Sequence, residues 1–127
     1  MFNLIKIKVF GHQPYAKISD RLLNILIVRD YKSRADIVIT KLKNISSDNK
    51  AVKNRISADI LKLANKDINA LDKLIETAND DYRDIMLRAE YPRCAKIGFG
   101  ELDKRSMKKI YFDDYIEYSN WLKQRHD

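Results

Sequence analysis

The strongest pattern in this sequence lies between residues 68 and 89 and is helical. Apolar side chains recur there at steps of three and four residues, namely Ile68, Leu71, Ile75, Ala78, Tyr82, Ile85, Met86 and Ala89. This spacing places them on one face of an α-helix. Asp67 precedes the stripe and is a suitable N-cap, so we predict a long helix that begins there and buries this face.

The first helix is predicted from residue 20 to residue 31. Ser19 is a suitable N-cap, and Ile18 and Leu23 flank it with the spacing of a hydrophobic staple. The apolar run that follows is so dense that periodicity does not distinguish a helix from a strand over residues 24–29. We favour the helix and keep the strand as the alternative.

Two more amphipathic stripes precede residue 67. The first follows a capping-box spacing at residues 33–36 and consists of Ala35, Val38, Ile39, Leu42 and Ile45. The second follows a polar link over residues 46–49 and consists of Val52, Ile56, Ile60, Leu63 and Ala64. Because helices joined by such short links tend to pack as antiparallel neighbours, the pattern is typical of a bundle.

The N-terminal segment has a different period. Ile5, Ile7 and Val9 alternate with lysines, which predicts a short strand or hairpin and a turn within residues 1–14. The lysines also interrupt the apolar stretch, so we interpret it as structure rather than as a signal peptide.

The C-terminal third is predicted to contain a short and a longer helix. Pro92 should stop the long helix and begin a helical turn that ends at Gly98. Residues 110–127 are predicted to form a docking helix that uses its aromatic side, with Asp113 or Asp114 as its cap.

These patterns define the expected fold class. The chain has 127 residues, of which 45% are hydrophobic and 34% charged, a globular balance for one domain. We predict a mainly α, single-domain bundle of five or six helices over residues 1–127, with the short strand or hairpin at its start.

The charge of the chain is basic but unevenly distributed. The formal net charge is +7, yet residues 67–90 are net acidic. A basic surface attracts nucleic acid, anionic lipid or acidic proteins, although compositional bias produces the same excess. Cys94 is the only cysteine, which excludes an internal disulfide and favours a cytoplasmic location. The longest apolar run, residues 22–28, is much shorter than the roughly 20 residues of a membrane helix, so no membrane partner is expected.

The densest polar cluster lies at the end of the predicted long helix. Its members are Asp80, Arg83, Asp84, Arg88, Glu90, Tyr91 and Arg93. We interpret them as a partner-binding surface, since arginine and tyrosine are frequent in protein interfaces. Asp84 and Arg88 also have the spacing of an ordinary helical ion pair. With no histidine near by, we assign no catalytic residue, metal ligand or cofactor.

Part of this cluster resembles known sequences. The segments Asp81-Tyr82-Arg83-Asp84 and Ala89-Glu90-Tyr91-Pro92, with residues 56–64 before them, are similar to small bacterial proteins of unassigned function. The resemblance covers about the middle third of the chain. It implies a helical fold and a shared surface, and it transfers no activity.

A second polar cluster combines basic and aromatic residues. Lys104, Arg105, Lys108 and Lys109 precede the aromatic residues Tyr111, Phe112, Tyr115, Tyr118 and Trp121. Single-stranded nucleic-acid binders use such a combination, although at helical spacing these aromatics are also typical core residues.

Three functions remain open, in a definite order. The first is a non-enzymatic interaction protein with an unknown protein partner or with a second copy of itself. The second is a nucleic-acid binder that uses the basic cluster at residues 104–109. The third is a metal-binding or enzymatic site on Glu76, Asp80 and Asp84, which share one helix face.

Overall fold

Six α-helices and two 3-10 turns make up the regular structure that the computed structural model describes, which covers residues 16–98 and 101–125. They are α1 (Asp20–Tyr31), α2 (Ala35–Leu42), α3 (Lys50–Ala64), α4 (Leu71–Glu90), α5 (Pro92–Ile97) and α6 (Lys104–Lys123). This confirms the predicted mainly α bundle, whereas the strand expected within residues 1–14 lies outside the described residues. None of the described helices is long and apolar enough to cross a membrane.

Helix α1 begins where the sequence predicts. Ser19 Oγ accepts a hydrogen bond from the amide of Leu22 at 3.0 Å, and Ile18 is buried beside this cap. The strand alternative for residues 24–29 is wrong, because the cap starts a helix whose inner face buries Leu26.

A sharp turn separates α1 from α2 and replaces the capping box predicted at residues 33–36. Lys32 has a positive φ of 49°, and its amide donates to the carbonyl of Val28. Lys32–Arg34 form a 3-10 turn, so Ser33 does not act as an N-cap, and α2 begins without a side-chain cap. The predicted stripe is still buried at Val38, Leu42 and Ile45.

Helix α4 differs from the predicted long helix at its start and at its centre. Ile68–Ala70 form a 3-10 turn capped by Asp67, which accepts a hydrogen bond from the Asn69 amide. At Asp81 the backbone leaves the helical region, with φ −155° and ψ 97°. The Asp81 carboxylate accepts a hydrogen bond from the Arg83 amide at 3.1 Å and so caps the second half of α4.

The kink at Asp81 explains why Tyr82 does not face the core. Tyr82 was predicted to be buried, but it is 41% exposed. A helix that restarts from a new cap does not continue the rotation of the preceding turns. The buried stripe therefore resumes only at Ile85, Met86 and Ala89.

The core has two parts. The larger one lies between α1, α2, α3 and α4, and its fully buried side chains include Leu26, Val38, Ile56, Ile60, Leu61, Leu71 and Ile85. A smaller cluster joins α5 to α6 and consists of Tyr91, Cys94, Met107 and Tyr111. Trp121 and Leu122 of α6 pack against the larger part. Helix α6 therefore connects the two parts.

The C-terminal docking helix is longer than predicted and has a different cap. It begins at Lys104 rather than near residue 110, and Asp103 caps it by accepting a hydrogen bond from the Ser106 amide. The prediction that Asp113 or Asp114 caps this helix is wrong, because both residues lie inside it. Its buried stripe consists of Met107, Tyr111, Asp114 and Tyr118. Because Asp114 is charged, it interrupts the apolar pattern from which the helix would have been predicted.

Candidate functional site

The partner-binding surface predicted at the end of α4 is divided by the fold. Asp80, Asp84 and Arg88 are exposed, whereas Glu90 and Tyr91 are buried. One side of the last turn of α4 faces other helices, so Glu90 belongs to the interior while Arg88 of the same turn faces solvent. The predicted cluster is therefore not one continuous surface.

The exposed carboxylates of α4 mostly have local counter-charges. Asp84 pairs with Arg88 at 3.4 Å, as their spacing predicted, and Arg83 pairs with Asp81 at 3.1 Å. Each exposed ion pair of this kind contributes about 0.2–1 kcal/mol to the stability of the fold. This face is therefore an ordinary solvated one.

The alternative metal site gains no support from the geometry. Glu76 pairs with Lys73 at 3.8 Å rather than with another carboxylate. In the described ranges, no group of three histidine, cysteine, aspartate or glutamate side chains is placed to hold a metal ion. Glu76, Asp80 and Asp84 share a helix face without forming a cluster of ligands.

A buried carboxyl pair, Asp59 and Glu90, occupies the junction of α3, α4 and α6. Asp59 is completely inaccessible to solvent, and Glu90 is 5% exposed. The Arg55 guanidinium donates two hydrogen bonds to Glu90, at 2.8 and 2.6 Å. The Tyr118 hydroxyl donates to Asp59 Oδ1 at 2.6 Å. One guanidinium therefore faces two carboxyl groups inside the protein.

The surroundings of Asp59 favour its neutral form. Burial raises the pKa of Asp59 well above its ordinary value, and the charge of Glu90 and a hydrogen bond with Glu90 raise it further. Asp59 Oδ2 has no hydrogen-bond partner among the described residues, and the bond from the Tyr118 hydroxyl to Oδ1 and the charge of Arg55 only partly offset the effect of burial on this pKa.

Asp114, inside α6, caps a different helix. It is completely buried, and its two oxygens accept hydrogen bonds from the amides of Arg93 and Cys94, both at 3.1 Å. These amides lie at the open N-terminal end of α5, which begins at Pro92. The Arg93 guanidinium also pairs with Asp114 at 3.0 Å. Burial, followed by the contact with Asp114, raises the pKa of Cys94, so the thiol stays protonated and unreactive.

A polar cleft of about 580 Å³ lies beside this network. Lys62 in its wall donates to Glu117 at 3.1 Å and to the Ala89 carbonyl at 2.8 Å, and Arg93 pairs with Glu117 at 3.2 Å. Burial raises the pKa of Glu117, but the hydrogen bonds and charges of Lys62 and Arg93 lower it by more. The pKa of Glu117 therefore lies below its ordinary value. Asp113 also lines the cleft, so its charged residues are two cations, Lys62 and Arg93, and two carboxylates, Asp113 and Glu117. The cleft therefore has no excess charge with which to attract an ion.

A second cleft, the lysine-rimmed groove, lies between α1, α2 and α3 and has a volume of about 370 Å³. Its apolar walls come from Leu23, Ile27, Ile39 and Leu42. Its charged lining residues are Lys43, Lys50, Lys53 and Asp20. Lys50 pairs with Asp20 at 2.6 Å, which leaves an excess of positive charge along the edge. The groove combines apolar walls with a cationic rim.

The outward face of α6 carries the basic residues that the sequence singled out. Arg105, Lys108 and Lys109 are exposed on its first two turns. One turn further, Phe112 is 57% exposed, and Ile116 is 40% exposed. Tyr111 and Tyr118 are core residues, whereas the ring of Phe112 is exposed and available for stacking. We call Arg105, Lys108, Lys109 and Phe112 the basic face of α6.

Sequence patterns missed the buried polar residues. Asp59 follows the buried Ile56 by three residues, and Asp114 follows the buried Tyr111 by three. Each aspartate therefore occupies a position in the apolar stripe of its helix. A charged residue at a buried register position is the one signal that could have found them. Their partners come from other helices, which no local pattern reveals.

Comparison with known proteins assigns no relatives to this chain. No protein family matches it, and no curated protein or solved structure shows a significant match. The resemblance of residues 81–92 to small bacterial proteins therefore stays a prediction. Function has to be argued from the side chains themselves.

Proposed function

We propose that this protein is a non-enzymatic interaction module that holds an acidic, amphipathic helix of a protein partner in the lysine-rimmed groove. The observation that carries the proposal is an open groove with apolar walls and a cationic rim. Amphipathic helices bind other proteins by laying their apolar face into such grooves.

The size and composition of the groove support this occupant. Its volume of about 370 Å³ is that of a small-ligand pocket, so it receives apolar side chains from one face of a helix rather than the whole helix. The walls offer Leu23 and Ile39, both partly buried, as contact surface for apolar side chains. Displacing water from these walls supplies the affinity, since the hydrophobic effect scales with the apolar area that is buried.

The rim determines which helix fits. Lys43 and Lys53 flank the apolar walls, and their charge favours glutamate or aspartate beside the apolar stripe of the partner. A helix with lysines at those positions is repelled. Charge complementarity of this kind controls specificity and association rate more than affinity.

The interior chemistry supports a binding role over a catalytic one. Catalysis needs converging groups that reach a substrate, but the carboxyl pair at Asp59 and Glu90 is buried. Cys94 is buried and stays protonated. Among the described residues, the groups with raised pKa values therefore stabilise the fold.

A synthetic amphipathic helix tests the proposal directly. The probe has leucines along one face and glutamates on both flanks, and a matched peptide has lysines in place of the glutamates. We expect the acidic peptide to bind more tightly, by about tenfold or more at low salt. Fluorescence anisotropy measures the affinity, and amide chemical shifts in α1, α2 and α3 locate the site.

Two charge-reversal variants provide the control. The double variant Lys43→Glu/Lys53→Glu should weaken binding of the acidic peptide by about tenfold. The variant Lys96→Glu/Lys123→Glu makes the same change in net charge on exposed residues outside the groove and should bind almost as the parent does. Equal losses in both variants, or equal binding of the two peptides, would show that the groove is not the site.

The basic face of α6 favours nucleic acid as a second candidate function. Phe112 is an exposed aromatic side chain, and Lys108 and Lys109 stand one turn before it. Bases stack on such aromatics while lysines neutralise phosphates, and each base stack contributes about 1–3 kcal/mol. The net charge of +7 adds long-range attraction.

The salt dependence of binding tests this second candidate. We expect affinity for random single-stranded DNA to fall steeply with salt, and Lys108→Ala/Lys109→Ala to reduce the logarithmic slope by about 1.4, or about 0.7 per phosphate contact. Phe112→Ala should weaken binding at every salt concentration. The variant Lys43→Ala/Lys53→Ala serves as control. A parent chain that does not bind at low salt would rule this candidate out.

A further inference from the structure

The polar cleft shares no residue with the lysine-rimmed groove or with the basic face of α6. One stripe of α6 lines it at steps of three and four residues, and Lys62 of α3 and Arg93 of α5 complete the lining. The stripe consists of Asp113, Ile116, Glu117, Asn120 and Trp121, with Gln124 directly after the helix. We propose that this cleft is a binding site for a neutral saccharide.

The charges of the cleft favour a neutral ligand. Glu117 accepts from Lys62 Nζ on one carboxylate oxygen, at 3.1 Å, and pairs through the other oxygen with the Arg93 guanidinium, at 3.2 Å. Asp113 balances the remaining positive charge. Because binding partners are complementary in electrostatic potential, a lining with equal numbers of cations and carboxylates favours neither an anion nor a cation.

Three polar side chains of the cleft are available to a ligand. Asp113, Asn120 and Gln124 are exposed, and their side chains form no hydrogen bond within the part of the chain that the structure describes. The carboxylate only accepts hydrogen bonds, whereas the two amides both donate and accept. A hydroxyl group also does both, so a ligand with several hydroxyls satisfies all three side chains.

Trp121 gives the cleft an apolar surface on which a sugar ring can pack. The Arg29 guanidinium lies 5.0 Å from the centre of the indole ring, and the Tyr118 ring lies 5.6 Å away, so the indole is held in place. Ile116, which is 40% exposed, adds apolar area to the lining. A pyranose has C–H groups on the faces of its ring and hydroxyls around the edge. It therefore matches a site that combines an indole with amides and carboxylates.

The dimensions of the cleft favour more than one sugar unit. Its volume of about 580 Å³ lies within the roughly 300–1,000 Å³ that is usual for small-molecule sites. The stripe runs from Asp113 to the end of α6, a distance of about 15 Å at about 1.5 Å per residue. Because this is longer than one pyranose ring, we expect disaccharides to bind more tightly than monosaccharides.

An NMR titration of the parent chain tests the proposal. The probes are glucose, galactose, maltose, cellobiose and lactose. We expect at least one disaccharide to bind with a Kd of about 1 mM and with an affinity that does not change with salt. The shifted amides should be concentrated in residues 113–124, and the emission of Trp121, the only tryptophan of the chain, should change with them. The amides that line the lysine-rimmed groove should keep their shifts.

Variants that remove exposed amides locate the site without disturbing the core. Asn120→Ala should weaken binding of the disaccharide by about threefold, and Asn120→Ala/Gln124→Ala by about tenfold or more, since each loses hydrogen bonds to the ligand. Asn69→Ala removes an exposed amide outside the cleft and should bind as the parent does. All three should unfold at the same urea concentration as the parent within error, because the changed side chains are exposed.

Any of three results would overturn the proposal. The first is a parent chain whose residues 113–124 show no shift with any of the five sugars up to about 50 mM, far above the expected Kd. The second is an equal loss of binding in Asn69→Ala and Asn120→Ala. The third is tighter binding of glucuronate, which adds a carboxylate to the same ring, than of glucose. Shifts confined to the cleft that are lost in Asn120→Ala/Gln124→Ala support a saccharide site.

Discussion

Replacing Arg55 by methionine should lower the free energy of unfolding by about 3–5 kcal/mol at neutral pH, which is the usual result of leaving a buried charge without its partner. Arg55 donates two hydrogen bonds to Glu90, and no other cation is in direct contact with the Asp59–Glu90 pair among the described residues. Methionine keeps much of the apolar length of the side chain, so the loss reports on charge more than on volume. Urea unfolding at several pH values measures it.

The pH dependence distinguishes this cause from a simple packing defect. Without the guanidinium, the negative charge of the pair has no counter-charge in contact, so the loss relative to the parent should shrink as pH falls from 7 towards about 5. The double variant Arg55→Met/Glu90→Gln removes both charges and should be more stable than Arg55→Met at neutral pH. Arg88→Met, which breaks only the exposed pair with Asp84, should change stability by about 0.5 kcal/mol or less. A pH-independent loss in Arg55→Met would contradict the electrostatic explanation.

Replacing Asp114 by alanine should lower the free energy of unfolding by about 2–4 kcal/mol. The substitution leaves the amides of Arg93 and Cys94 without acceptors, and each unsatisfied buried group costs about 1–3 kcal/mol. It also removes the salt bridge from Arg93. Hydrogen exchange at these two amides should accelerate more than exchange in α3, because the lost cap belongs to α5.

The adjacent residue Asp113 provides a matched control. It lies on the same helix but is exposed, so Asp113→Ala should change stability by no more than about 0.5 kcal/mol. Asp114→Asn keeps one oxygen acceptor and should fall between the parent and Asp114→Ala. If Asp113→Ala and Asp114→Ala have equal effects, Asp114 does not act as the cap of α5.

Both predictions concern polar groups that hold helices in fixed positions. Asp114 joins α6 to α5, and the carboxyl pair with Tyr118 joins α6 to α3 and α4. A non-polar core tolerates several arrangements of similar volume, whereas a buried hydrogen-bond network is satisfied in only one. The interior chemistry therefore maintains the arrangement of helices on which the lysine-rimmed groove and the basic face of α6 depend.

The helices themselves could be predicted because their signals are local. Ser19 and Asp67 cap the turns that follow them, as the sequence indicated, and Pro92 starts α5. The interpretations failed where a local signal was overridden. Asp81 introduced an internal cap into α4, and a buried aspartate at position 114 interrupted the apolar period of α6.

The candidate sites could be predicted only in part. The basic cluster at residues 104–109 was found from composition, and the structure places its members on the exposed side of α6. The groove was not found, because its walls come from three helices and its rim from separate segments. The cluster at residues 80–93 was treated as one surface, since sequence spacing does not reveal which turn of a helix faces a neighbour.

The sequence by itself determined the helical class, most helix boundaries and the apolar faces that form the core, because caps and periodicity act within a few residues. The tertiary structure alone determined which charged residues are buried and which groups they contact. It brought Asp59 to Glu90 and Arg55, and it brought Asp114 to the start of α5. Protonation and hydrogen bonding at these positions depend on burial and on partners distant in sequence, and packing creates both.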